Sequence, residues 1–201
     1  MRDRVIAVGV TGGIAAYKAC ELVRWLQQRG AAVIVVMTRG ATEFVTPLTF
    51  QPLSGNPVGF DLWGDQAPRF QLPPAAMKKL HGRVEHVDVA EVVDAIVIAP
   101  ATANLMARVV HGEAPDALTS LVLACRAPLL VCPAMDMEMW RQPATQDNLR
   151  ALRGRGATIV GPDTGYLASG LAGPGRLASI EAIGAAVERS LTMRESLKGV
   201  R

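Results

Sequence analysis

The run Val5-Ile-Ala-Val-Gly-Val10 is uninterrupted by any polar residue, stops at Thr11-Gly12-Gly13, and gives way at once to an amphipathic stretch. A strand buried on both faces reads this way, and such a strand followed directly by a helix is the repeating unit of a parallel sheet covered on both sides. The helix shows its apolar stripe at Ala15, Ala19, Leu22 and Leu26, with Lys18, Glu21, Arg24 and Gln28 opposite, and Gly30 ends it. The same alternation then recurs. Ala31 to Met37 reads as a second strand, and Gly40 to Ser54 as short helical pieces broken at Pro47 and Pro52. Asp94 to Ala99 reads as a strand, Pro100 to Asn104 as a loop into a helix, and residues 116–124 as a further helix. Leu129 to Cys132 is another strand, Thr145 to Arg153 a helix and Thr158 to Val160 a short strand. A Gly-rich loop follows from Gly161 to Gly175, and then a last helix capped by Ser179, with Ile180, Ile183, Val187 and Leu191 on one face. The expected fold is α/β, a doubly wound and mostly parallel sheet in three α/β/α layers, Rossmann-like. Residues 61–82, with Gly64, Pro68, Pro73 and Pro74 and little periodicity, read as a surface excursion.

Composition narrows the function. The chain has 201 residues, half of them apolar and 19% charged, which fits a single globular domain and excludes a coiled coil or a disordered tail. With 4% aromatic residues and a net charge of +3, it offers neither a stacking platform nor a basic face for nucleic acid. Asp94, Arg108, Arg126 and Asp136 interrupt the most apolar stretches, so no membrane span is expected. The first apolar run is too short and wrongly flanked for a signal peptide. Three cysteines, Cys20, Cys125 and Cys132, stand in apolar surroundings without zinc spacing, which fits a reducing cytoplasm, no disulfide framework and no metal site.

In an open parallel sheet a ligand sits beyond the carboxyl ends of the strands, so the residues at those ends are the candidates. After the first strand Gly12 and Gly13 let the backbone approach a ligand, while the helix start presents free amides to an anion. The second strand ends in Met37-Thr38-Arg39, with no acidic residue to hold a ribose hydroxyl, which argues against NAD and leaves Arg39 as the sole pointer to NADP. The Thr38 hydroxyl suits a mononucleotide phosphate, or it simply caps a helix. The third and fourth strand ends supply Pro100-Ala-Thr-Ala-Asn104 and Pro133-Ala-Met-Asp-Met-Glu-Met-Trp140. The first of these can lie flat against a ring system and bond its edge. Met and Trp at the spacing of the second usually fill core. His86 stands just ahead of a helix between polar neighbours, whereas His81 and His111 read as structural.

Taken in order, Gly-Val-Thr-Gly-Gly-Ile-Ala-Ala-Tyr-Lys at 9–18, Met-Thr-x3-Thr-Glu-Phe-Val-Thr-Pro at 37–47, His86, Ala-Pro-Ala-Thr-Ala-Asn at 99–104, Pro-Ala-Met-x3-Met-Trp at 133–140 and Leu-Ala-Ser-Gly-Leu-Ala-Gly-Pro-Gly-Arg at 167–176 resemble the homo-oligomeric flavin-containing cysteine decarboxylases. The likeness runs from residue 5 to about 190 and is closest to the members that act on 4′-phosphopantothenoylcysteine in coenzyme A biosynthesis. It implies FMN, with its phosphate at Gly12, Gly13 and Thr38 and its ring near Ile14, Phe44, Ala101, Thr102 and Asn104. It implies substrate contacts at Ala134, Met135, Asp136 and Ala168, and catalytic roles at His86, Asp136 and Ser169. The implied reaction oxidises the substrate cysteine to a thioaldehyde, which loses carbon dioxide to an enethiol that is then reduced, with His86 assisting deprotonation of the thiol. A homotrimer, alone or as a dodecamer of trimers, is implied because the family's flavin lies between subunits.

Two positions depart from the family pattern. Asp136 stands where the family has an asparagine that binds the substrate carboxylate, and Ser169 where the flap has a proton-donating cysteine. An ionised Asp136 would repel a carboxylate, so it is expected either to be protonated or to turn away and accept from an amide or thiol proton. The segment 195–201 resembles the opening of the synthetase half of bifunctional decarboxylase/synthetases, which divides the chain into a flavoprotein domain at 1–190 and a linker or start of a second domain at 191–201. A peptidyl-cysteine decarboxylase and a flavin-binding subunit without turnover are the alternatives.

Overall fold

A computed structural model of the chain describes residues 1–59, 72–78 and 85–198, excepting the side chains at 85–87 and 194–198. β1 (Val5–Val10) leads through a 3-10 turn (Ile14–Tyr17) into α1 (Lys18–Gln28), β2 (Ala32–Met37), α2 (Arg39–Thr42), α3 (Pro47–Ser54) and β3 (Val58–Gly59). Then come α4 (Pro74–Met77), α5 (Glu85–Val92), β4 (Ala95–Ala101), α6 (Ala103–His111), α7 (Ala117–Ala124) and β5 (Leu129–Pro133). The chain continues through α8 (Met137–Arg141), α9 (Pro143–Gly154), β6 (Thr158–Ile159), β7 (Asp163–Tyr166), β8 (Ala172–Arg176) and α10 (Ile180–Lys198).

Six strands pair in the order β3-β2-β1-β4-β5-β6, every pair parallel. Alternation within each strand builds the two helical layers. Ile6, Val8 and Val10 of β1, Val33, Val35 and Met37 of β2, and Ala95, Val97 and Ala99 of β4 enter one core with α1 and α10. Val5, Ala7, Ile34, Val36, Ile96 and Ile98 enter the other, with α5, α6, α7 and α9. Both faces being covered, the strands carry continuous apolar runs, which is why they were recognisable from sequence. At the amino-terminal edge Asp94 joins β1 to β4, accepting from the Val5 amide at 3.0 Å and from Arg4 at 3.3 Å.

Several boundaries and one element differ from the sequence expectation. The strand predicted at 94–99 runs on through Pro100 to Ala101, which pairs with Pro133 after a register shift, and α6 starts at Ala103, so the expected loop 100–104 is consumed by its neighbours. The Gly-rich segment 161–175, expected as a loop, is largely an antiparallel hairpin of β7 and β8 lying outside the main sheet. His86 lies in the first turn of α5 rather than ahead of it. Of the excursion at 61–82, only residues 72–78 are described, with α4 among them; His81 and the rest lie outside. α10 continues past residue 190 to Lys198. Among the described residues no helix is long and apolar enough to cross a membrane.

Candidate cofactor and substrate site

Strand order reverses between β1 and β4, since β1 connects outward through β2 and β4 outward through β5. The crevice between their carboxyl ends is where such a sheet takes a ligand. Thr11, at the end of β1, is buried and locks this crevice: its hydroxyl donates to the Pro100 carbonyl at 2.7 Å and accepts from the Thr102 amide at 3.2 Å. Thr102 in turn caps α6, accepting from the Leu105 amide at 3.3 Å.

On one side of the crevice the turns after β1 and β2 touch. A Cβ on Gly12 would lie 2.7 Å from the backbone carbon and oxygen of Gly40, so glycine is required for these two backbones to meet. Thr38 stands before α2 in extended conformation and makes no capping bond with its side chain, so the simple-cap reading is not what its hydroxyl does. These turns line a cavity of about 860 Å³ together with Arg39, Asn104 and Arg108, the last at 3.7 Å from the Asp116 carboxylate. Backbone amides at two helix starts, a hydroxyl and two guanidinium groups suit a phosphate dianion.

A second cleft of about 790 Å³ opens from the other side of the same turn, and Gly12, Thr102 and Met139 line both. Its floor is Gly13 and Ile14, with Tyr17 and Lys18 beside them; its far wall is Ala134, Met135 and Asp136 after β5. The β7–β8 hairpin covers it with Leu167, Ala168 and Ser169 at the tip. Two contacts seat the hairpin on the β5–α8 turn. The Met135 amide donates to the Gly175 carbonyl at 2.9 Å, and Met137 fills the space that a side chain on Gly173 would need.

Asp136 starts α8 and accepts from the Glu138 amide at 3.0 Å. That amide, with the Ser169 hydroxyl beside the carboxylate, holds the Asp136 carboxyl below its ordinary range. The Glu138 amide bond is the contact that the amide-accepting expectation describes, and the downward shift favours the charged carboxyl over the protonated one. The two departures from the family pattern thus touch each other, one on the helix start and one on the hairpin tip. In the Met-rich segment Met135 and Trp140 pack, partly buried, against the core shared by α5, α6, α7 and α9, as the core reading expects, whereas Met139 faces both cavities with 48% of its surface exposed.

Gly12, Gly13, Ile14, Thr38, Thr102, Asn104, Ala134, Met135, Asp136, Ala168 and Ser169 are brought together around the two cavities. Two expected residues are not. Ala101 is fully buried in the sheet, its carbonyl accepting from the Ala134 amide at 3.2 Å, and Phe44 is half exposed beyond α2 and lines neither cavity. The His86 side chain lies outside the described residues. Lys18, Arg108, Tyr166 and Arg176 were not assigned from sequence, although Lys18 and Arg176 close two of the motifs that carry the resemblance. Cys132 is buried in the sheet, and burial pushes its thiol far up, so it is not a reactive group of this site.

A doubly wound sheet with two adjoining cavities beyond the carboxyl ends of its strands is the architecture of nucleotide-cofactor proteins. A family model described as Flavoprotein matches residues 1–192, and the chain belongs to that family. It is 47% identical over 182 residues to the coenzyme A biosynthesis bifunctional protein CoaBC of Mycolicibacterium smegmatis, which covers 90% of this chain and 40% of that protein. To the protein of the same name from Haemophilus influenzae it is 42% identical over 200 residues, covering 100% of this chain and 47% of the other. The chain therefore spans less than half the length of these curated relatives. Among solved structures, a PPC decarboxylase mutant complexed with pantothenoylaminoethenethiol superposes with a TM-score of 0.79 at 27% identity, over 93% of this chain and 97% of that one. The FMN-dependent cysteine decarboxylase SpaF gives 0.77 at 29%, over 94% and 96%.

Proposed function

We propose that the chain is an FMN-dependent decarboxylase that converts 4′-phosphopantothenoylcysteine to 4′-phosphopantetheine in coenzyme A biosynthesis. The observation that carries this reading is the pair of contiguous cavities sharing Gly12, Thr102 and Met139, one lined by Thr38, Arg39 and Arg108 and one covered by the hairpin. The likeness to CoaBC proteins and to FMN-dependent decarboxylases supports it. The first cavity would hold the FMN phosphate with the Thr38 hydroxyl, the amides at Gly12 and Gly13, and Arg39 and Arg108. The ring would then lie against Ile14 toward the second cleft. The cofactor supplies a hydride acceptor that can later return the hydride. Thr11 keeps the β1 and β4 turns in register; the hairpin excludes water from the cleft; His86 takes up the thiol proton as a general base.

The same reading places the chain in the cytoplasm, in a polypeptide fused to a synthetase domain, and as a homotrimer or a dodecamer of trimers. Three free cysteines support the compartment. Ile14, Tyr17 and Tyr166, each more than half exposed and lining the cleft, support a covering subunit. Purified protein is expected to carry noncovalent FMN, identified by mass spectrometry of the released ligand, and NAD(P), or no binding after FMN reconstitution, would contradict the assignment. His86→Asn is expected to keep that FMN yet lose carbon dioxide release, and a variant that turns over like the parent would give His86 a structural role only.

Asp136 also gives a pH prediction. A carboxyl held below its usual value near 4 keeps its charge at neutrality and loses it only as pH falls through that lower value. The ratio of substrate-analogue affinities between the parent and Asp136→Asn is therefore expected to stay constant between about pH 5 and 8. A ratio that collapses toward one as the solution is acidified through pH 6 would show that Asp136 takes up a proton there.

A further inference from the structure

With Asp136 ionised and bound to the Glu138 amide, the cleft needs another donor for a carboxylate carried by its ligand. The cations lining it are Lys18 and Arg176. Arg176 ends β8 one residue beyond Gly175, whose carbonyl takes the Met135 amide, so its backbone is stitched beside the Met135-Asp136 turn. Its side chain has a defined course. Gly165 and Gly173 oppose each other in the β7–β8 ladder, so their missing side chains point to one face, the face that receives Met137. A Cβ built on Gly165 would come within 3.1 Å of the Arg176 Nη1 and 3.4 Å of its Cδ, so the guanidinium stem lies along this same face, in the space left by Gly165. Asp163 is its cross-strand neighbour, yet none of the ion pairs among the described residues includes Arg176. An extended guanidinium with its charge uncompensated, on the inner face of a hairpin that covers a cleft, is equipped to take a carboxylate through two parallel N–H bonds.

We propose that Arg176, laid over Gly165 on the hairpin, is the residue that binds the substrate carboxylate and so determines that this chain accepts a free cysteine carboxyl group. The proposal rests on the decarboxylase reading and deepens it. The hairpin then has a second task besides covering the cleft: it carries the group that recognises the part of the molecule to be lost as carbon dioxide. Asp136, fixed by the Glu138 amide and Ser169, stands on the neighbouring turn and repels a carboxylate displaced toward it, which narrows the position the ligand can take.

Two unreactive ligands test this on the FMN-loaded full chain by calorimetry. One is the serine analogue of the substrate, which keeps the carboxylate and replaces the thiol by a hydroxyl; the other is the corresponding ethanolamine compound, which lacks the carboxylate and keeps the phosphate. Arg176→Gln is expected to weaken the serine analogue roughly 10- to 100-fold, the range for a lost hydrogen bond to a charged group, and to leave the ethanolamine compound within about threefold. Arg176→Lys should recover part of the loss, because it restores the charge without the fork. An equal loss for both ligands would overturn the proposal, since Arg176 would then hold the phosphate or only shape the hairpin; no loss for either would overturn it as well. A parent protein that binds FMN and neither ligand would overturn the decarboxylase reading and this proposal with it, whereas a parent that binds both with Arg176→Gln unchanged overturns only the assignment of Arg176.

Discussion

Gly175→Ala is expected to reduce kcat/KM by at least about 100-fold while the parallel sheet remains folded, a loss of the size that a misplacement of roughly 1 Å produces in a reacting constellation. Gly175 has φ 144°, a conformation that L side chains rarely adopt, and a methyl group there would overlap the Met135 carbonyl oxygen. The Gly175 carbonyl also receives the Met135 amide, so relief of the overlap must break the contact that seats the hairpin on the β5–α8 turn. Met135, Asp136 and Ser169 line the cleft from the two sides of that seam, and all three shift if it opens. The six-stranded sheet does not depend on β8, which pairs with β7 alone. Steady-state turnover, FMN content and thermal unfolding measured together check the expectation: activity falls, FMN remains bound and the unfolding midpoint moves little. A variant with the parent's turnover would show that the hairpin need not be seated for the reaction.

The second large effect is expected at Ser169. The closing step of the proposed reaction adds a proton to the enethiol as it is reduced, and an alcohol gives up a proton far less readily than a thiol, whose ordinary pKa is near 8.5. Ser169 is worse placed still, because the Asp136 carboxylate beside it stabilises the hydroxyl in its protonated form. A cysteine in its place would feel the same anion, keep its proton at neutral pH and present an acid of suitable strength. Ser169→Cys is therefore expected to speed the final reduction by about 10²- to 10⁴-fold, the usual contribution of a positioned general acid, and to leave the rate of carbon dioxide release unchanged. The neighbour solved with pantothenoylaminoethenethiol is itself a PPC decarboxylase mutant, which makes the enethiol a practical compound to assay. Separate measurement of the two steps decides the matter: equal reduction rates in parent and variant would assign the proton to a water or to another side chain.

The legibility of the sequence followed its physics. β1 and β5 were readable because strands covered on both faces carry unbroken apolar runs, and Val5–Val10 was placed to the residue. The hairpin was not readable. Asp163-Thr-Gly-Tyr166 and Ala172-Gly-Pro-Gly-Arg176 lack apolar alternation, because the hairpin meets α8 at Gly173 and the Met135-Asp136 turn at Gly175 through absent side chains rather than through apolar ones. Gly12 and Thr38 were accessible as turn residues next to strand ends, where backbone approach and hydroxyl chemistry are local properties. Phe44 and Ala101 lie outside both cavities for the complementary reason. Both sit within two residues of cavity-lining positions, but Phe44 follows α2 out to solvent and the extension of β4 turns Ala101 into the core. Arg108 and Arg176 reach the cavities only through the docking of α6 and the course of the hairpin, which no local spacing encodes.

The central claim is that both cavities serve one decarboxylation, and a single-turnover experiment with 4′-phosphopantothenoylcysteine labelled in its carboxylate tests it most directly. The FMN-loaded protein is mixed with less than one equivalent of substrate without oxygen, and labelled carbon dioxide is counted against the phosphorylated products. The account predicts one carbon dioxide per substrate, released quickly, with the enethiol appearing first and converting slowly to 4′-phosphopantetheine. Substrate recovered with its label intact from protein that holds FMN would contradict it.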